Sequence, residues 1–159
     1  DLRYNPGGYL EVAVDLDGWV VPKGSVIVRE QGRGDKTIEE FRASGNGALA
    51  NFPVVVLMNG GSASASEILA GALRDIRKTK LVGETSFGKG TVQQLESLPD
   101  GSSVKLTVAH WVLPGGGILD KDGLKPDVEV KMTDEDITNK KDPQLDAAIK
   151  VLRSEIMGK

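Results

Sequence analysis

Three serines and one lysine carry most of the chemistry this sequence offers. Ser62, Ser64 and Ser66 alternate with alanine in NGGSASASE, Asn59 to Glu67. That segment follows a short valine-rich run and leads into a predicted helix. The first N–H groups of a helix have no intrahelical acceptor, and the helix dipole favours negative charge there. A serine at such a junction has donors at hand for a developing oxyanion, and its small neighbours admit a substrate backbone. A serine nucleophile also needs a base. His110 is the one histidine of the chain, and it falls in an alternating strand pattern. Lys89 stands between Gly88 and Gly90 in SFGKG. Burial there would disfavour the charged ammonium, leaving an amine able to take the serine proton, an established variant of triad chemistry. An amide at Gln93, four positions on, would orient that amine without adding charge.

Each of these residues also has an ordinary explanation. Serine at a helix start is commonly a cap. Lysine in a glycine loop is commonly solvated surface, and His110 reads as a satisfied core histidine. GKG suggests a phosphate loop, but Gly90 stands where that loop needs Ser or Thr. Asp134, Glu135 and Asp136 lack calcium-ligand spacing and read as a solvated loop. The chain has no cysteine, which removes disulfides, thiolate metal sites and cysteine catalysis. A single histidine excludes a metal site built on several imidazoles.

The 159 residues are one domain's worth. With 39% hydrophobic and 27% charged residues, the composition is that of an ordinary globular chain. A formal net charge of −3 leaves no electrostatic footprint for nucleic acid. No segment approaches the roughly 20 apolar residues that span a bilayer.

The elements that must position the serines and the lysine follow from periodicity. Tyr9, Val12, Ala13, Leu16, Trp19 and Val20 share one face of a helix that Pro22 and Gly24 stop. SVIVRE and KTIEEF flank the turn QGRGD as a hairpin. PVVVLMN reads as a strand buried on both faces, as in a parallel sheet. Ile68, Leu69, Ala72, Leu73 and Ile76 form the apolar face of the helix after the serines, and KLVGE is the next strand. Residues 53–84 therefore make a βαβ unit. TVQQLESL and SSVKLTVAHWVL are strands around a PDG turn, the second with Val104, Leu106, Val108 and His110 on one face and one buried side. DKDGLKPDVEVKM is a turn and a short edge strand. The last helix starts at Asp142 as N-cap with Pro143 in its first turn, and Leu145, Ala148, Ile149, Leu152 and Ile156 form its buried stripe. Because Asp1 opens on a strand end running into a glycine turn, the chain is expected to belong to a longer protein.

DLRYNPGG, NGGSASASEILAGALRD, LVGETSFGKGTVQQ and GLKPDVEV, in this order, resemble the C-terminal processing peptidases, also called tail-specific proteases. The resemblance runs over essentially the whole chain. It implies Ser64 as nucleophile, with Lys89 as general base 25 positions later and Gln93 assisting the lysine. It implies an oxyanion hole made by the N–H groups of Ala65 and of Gly8, with Gly7 as second choice for the turn donor. The implied chemistry is acyl transfer with no cofactor and no metal. The implied fold is α/β, a crotonase-like (ClpP/crotonase type) core of twisted sheet and flanking helices. Residues 1–159 would be the peptidase catalytic domain, with further core strands and a PDZ domain expected upstream. The implied partners are protein or peptide substrates with apolar C-terminal tails, not nucleic acid, and a homo-oligomer is left open. The implied place is the bacterial cell envelope: periplasmic, extracellular or membrane-anchored. Two rivals remain: an inactive binding or assembly module on the same fold, and an acyl-CoA-type enzyme that uses oxyanion donors without a serine–lysine pair.

Overall fold

A computed structural model describes residues 1–158. The chain runs α1 (Leu10–Val20), β1 (Val26–Gln31), β2 (Thr37–Arg42), β3 (Val55–Met58), α2 (Ala65–Arg77), β4 (Lys80–Gly83), β5 (Thr91–Ser97), β6 (Ser103–Val112), β7 (Val128–Glu129), α3 (Asp134–Thr138) and α4 (Pro143–Met157). The βαβ unit forms as expected: β3 and β4 pair in parallel around α2, with Val55 opposite Lys80. The predicted edge strand β7 joins β4 in parallel, giving the order β3-β4-β7.

This parallel sheet is covered on both faces, so its strands are apolar without alternation. Val56, Met58 and Leu81 enter the main core with Ile68, Ala72 and Leu73 of α2. Leu57 and Val82 point to the opposite side and meet Ala148 of α4. The remaining strands form an antiparallel sheet in the order β2-β1-β6-β5. Ile27 and Val28 of β1 turn its inner face into the main core.

Four expectations need correction. The apolar stripe of α1 is not its buried face: Tyr9, Val12, Leu16 and Trp19 are exposed, while Ala13, Val14, Asp17 and Gly18 are buried. A small-residue face lets α1 approach closely, and Gly18 lies directly on Gly45. The stripe of α4 is likewise displaced. Leu145, Ile149 and Ile156 are exposed, and the helix docks through Ala148 with Ala147 and Val151. The β5–β6 hairpin carries its outer half away from the core, so Val104, Leu106 and Val108 are exposed and His110 is not a core histidine. Alternation marks a strand's two faces but not whether anything covers them. Finally, Asp134 and its neighbours form the short exposed helix α3, because Thr133 and Asp136 cap it reciprocally. The start of α4 is as predicted, with Asp142 accepting from Leu145 N at 2.9 Å.

Asp17 is fully buried, and neither carboxylate oxygen has a hydrogen-bond partner among the described residues. Burial raises its pKa to about 8.

Candidate active site

The three serines divide by their surroundings. Ser62 is buried and saturated: its hydroxyl donates to Leu2 O at 2.8 Å and accepts from Asn59 N at 3.0 Å. Ser66 is buried in the first turn of α2. Ser64 is half-buried and has φ 56° and ψ −120°. A non-glycine residue in this region costs about 1–3 kcal/mol and persists only where its surroundings impose it. A strained strand-to-helix turn of this kind lifts a serine hydroxyl clear of its backbone.

Glu67 imposes that conformation. It is 1% exposed and closes the N-terminus of α2 by reaching back to Ser64 N at 2.8 Å. The same oxygen accepts from Lys89 N at 2.9 Å. Its other oxygen accepts from Ser86 Oγ at 2.5 Å and Gly88 N at 2.8 Å. Ser86 Oγ accepts in turn from Leu124 N. One buried carboxylate thus ties the backbones of Ser64 and Lys89 to a common point. Glu67 was not among the residues singled out from sequence. The S-x-x-E spacing of a capping box, Ser64 to Glu67, was the signal that marks it.

The loop carrying Lys89 is clamped by its glycines. A Cβ on Gly90 would lie 1.7 Å from Leu119 O, and one on Gly88 2.5 Å from Asp120 O. The Lys89 side chain, by contrast, is exposed and makes no hydrogen bond among the described residues. Gln93, at the third position of β5, is exposed as well. The expected burial of Lys89 and its expected bond to Gln93 are therefore not formed. The loop's clamp fixes its main chain and leaves the lysine side chain exposed.

The NPGG turn lies against the serine. Asn59 Oδ1 accepts from Tyr4 N and Gly61 N, joining the two turns, and Ala63 N donates to Asn5 O. Gly7 N donates to Asn5 Oδ1 at 2.9 Å. Gly8 N and Ala65 N have no partner among the described residues. The turn is anchored by Arg3, whose guanidinium meets both oxygens of Asp142 at 2.7 and 2.8 Å and Gln144 at 3.2 Å. Hydrogen bonding to Arg3 holds the Asp142 carboxyl below its ordinary value.

Gly7 has φ +91°, and a Cβ there would lie 2.6 Å from Ala63 O and 2.8 Å from Ala65 N. A Cβ on Gly8 meets nothing within 4 Å. Gly7→Ala is expected to destabilise by about 1–3 kcal/mol, while Gly8→Ala leaves the denaturation midpoint nearly unchanged. Equal midpoints for the two variants would contradict this geometry.

Fold and junction define the class: a mixed α/β chain with an accessible serine on a strained turn between a buried parallel strand and a helix. The chain belongs to peptidase family S41, whose sequence profile matches residues 1–130. It is 41% identical over 155 residues to the carboxyl-terminal-processing protease of Synechocystis, covering 96% of this chain and 36% of that protein. It is 43% identical over 135 residues to the carboxy-terminal processing protease CtpA of Bacillus subtilis, covering 84% and 28%. Among solved structures, the photosystem II D1 C-terminal processing protease matches with a TM-score of 0.74 and 37% identity, covering 82% of this chain and 33% of that one. The chain thus spans about a third of the length of these relatives.

Proposed function

We propose that this chain is the catalytic part of a longer serine endopeptidase that cleaves near protein C-termini. Ser64 is the nucleophile and Lys89 the general base. The observation that supports this reading is that one Glu67 oxygen holds the backbones of a strained, accessible Ser64 and of Lys89 together. Lys89 takes the Ser64 proton as the hydroxyl attacks the scissile carbonyl, then donates it to the leaving amine, and water hydrolyses the acyl-enzyme. The N–H groups of Gly8 and Ala65 receive the oxyanion. The turn's other N–H belongs to Asn5, which favours Gly8 over Gly7. Bound substrate supplies the cover that the exposed lysine stem lacks, and Gln93 then meets the amine.

The fold of the whole is crotonase-like in this reading, with further core strands and a PDZ domain preceding Asp1. Its substrates are proteins with apolar C-terminal tails. Its place is the bacterial cell envelope, and self-association is compatible with it. No cofactor enters the chemistry.

The test is proteolysis of an unstructured protein with an apolar tail, by the full-length protein and by this chain. Ser64→Ala is expected to remove all cleavage. Lys89→Arg is expected to lower the rate at least about a thousandfold, since arginine cannot deprotonate in the working range. Cleavage that survives Ser64→Ala sinks the assignment, and turnover by Lys89→Arg takes the lysine out of the mechanism. An intact protein that cleaves no tail at any pH favours a binding module on the same fold.

A further inference from the structure

Tyr4 has φ 58°, a left-handed backbone that few residues other than glycine, asparagine and aspartate adopt. Its side chain is 72% exposed, so burial of the ring does not impose this conformation. The backbone is gripped from two sides instead. On one side Tyr4 N donates to Asn59 Oδ1 at 2.9 Å. On the other stands Arg3, whose side chain is only 12% exposed and reaches the start of α4. Asp142 meets it with both oxygens, at 2.7 and 2.8 Å, and Gln144 Oε1 accepts from it at 3.2 Å. Gln144 is 1% exposed and is itself fixed, because its amide donates to Val130 O at 2.8 Å and to Glu84 Oε1 at 3.1 Å. Glu84 Oε1 in turn accepts from Met132 N.

Resting on the peptidase reading above, we propose that Asp142 and Gln144 are positioning residues for the oxyanion donor of the NPGG turn. Through Arg3 they hold Tyr4 in its strained conformation, and Tyr4 sets the direction in which the chain runs to Gly8. Neither residue touches substrate or the reacting atoms. A guanidinium this buried does not stay in place without its acceptors, because an unpaired buried charge is costly. Asp1, the acceptor that remains, is 50% exposed and draws it outward. Tyr4 then relaxes to negative φ, which rotates the peptide planes leading to Asn5 and the glycines. The bonds to Asn59 Oδ1 and Asn5 O keep the turn beside the serine segment, so substrate still binds while the donor loses its aim. The oxyanion forms only as the reaction proceeds, so the loss falls on kcat and not on KM.

Asp142→Asn separates this role from the capping of α4. Asparagine caps a helix as well as aspartate does, but it sets an amide NH2 against the guanidinium. In the full-length protein, with a peptide carrying an apolar tail as probe, it is expected to lower kcat at least about tenfold with KM unchanged. Asp142→Ser, a cap with a single oxygen, is expected to do the same, and thermal melts check that both variants fold. Tyr4→Asn supplies a residue that tolerates the left-handed region, so the turn needs less holding. Added to Asp142→Asn, it is expected to restore most of the lost kcat. A contact that merely keeps α4 docked is not relieved by a change in the turn, and the double variant reads that difference. Wild-type kcat in both Asp142 variants, or a loss that Tyr4→Asn does not relieve, overturns the positioning role and leaves the peptidase reading standing. Absence of Ser64-dependent cleavage by the wild-type protein overturns both.

Discussion

Replacing Glu67 by alanine is expected to abolish cleavage and to cost the fold about 3–5 kcal/mol. Four donors converge on this carboxylate: Ser64 N, Lys89 N, Gly88 N and Ser86 Oγ. A buried donor left without an acceptor costs about 1–3 kcal/mol, with partial relief where water reaches it. The loss of activity has a separate origin. Ser64 sits in a backbone conformation that serine does not favour, and the bond from its N–H to Glu67 is what holds it there. Glu67→Gln is the sharper variant. Each oxygen accepts two bonds, and the amide NH2 accepts none, so one amide orientation sets the NH2 against the N–H donors of Ser64 and Lys89, and the other sets it against Gly88 N while the Ser86 hydroxyl turns to accept. That variant is expected to fold, with a midpoint between wild type and Glu67→Ala, and to lose at least about a hundredfold in kcat. Chemical denaturation and steady-state hydrolysis read the two effects separately. Wild-type kcat in Glu67→Gln would show that the carboxylate is only a helix cap.

Asp17→Asn is expected to stabilise the chain on the order of 4 kcal/mol near pH 8 and to do almost nothing at pH 4. Burial raises this carboxyl from an ordinary value of 3.8 to about 8. Below the unfolded value both states hold the proton, and the group is without effect. Between about pH 4 and pH 8 the unfolded chain ionises while the folded chain must keep its proton, so stability falls steadily as pH rises. Above the folded value the loss is complete. The Asp142 carboxyl acts in the opposite sense. Held low by its bonds to Arg3, it stabilises at neutral pH and loses that contribution as pH falls through its folded value. The wild-type profile is therefore expected to peak between these limits. Thermal melts of wild type and Asp17→Asn from pH 4 to 9 provide the check, and parallel profiles would mean that the Asp17 environment takes up charge freely.

Much of this arrangement was legible in the residues. The valine run of β3 and the single apolar face of α2 fixed the parallel βαβ unit, because burial on both sides leaves no room for a polar alternation. The serine segment and the glycine-flanked lysine were legible as candidates for the same reason they now pack together: small residues permit close approach, as at Gly90 against Leu119. The faces of α1 and α4 were misread for a physical reason. Periodicity identifies the apolar side of a helix, but the side that docks is decided by what it meets. In α1 a surface of Ala13, Val14 and Gly18 packs more closely than Leu16 and Trp19 would, and the larger residues are left exposed. Glu67 was hidden for the opposite reason. A glutamate in the first turn of a helix is ordinary, and only the loop returning from 21 and 22 residues away shows that it holds two segments at once.

The clamp of Arg3 on Asp142 and Gln144 joins positions 139 and 141 residues apart. Contacts so distant along a chain are late to form, and here they anchor the turn that bears Gly8. A ribosome must therefore deliver the start of α4 before Arg3 is clamped, whereas the bonds from Tyr4 N to Asn59 and from Ala63 N to Asn5 need no residue beyond α2. Until synthesis passes Gln144, the nascent polypeptide carries Ser64 and Lys89 without this clamp on Arg3. The order of translation thus makes this clamp one of the last contacts to close.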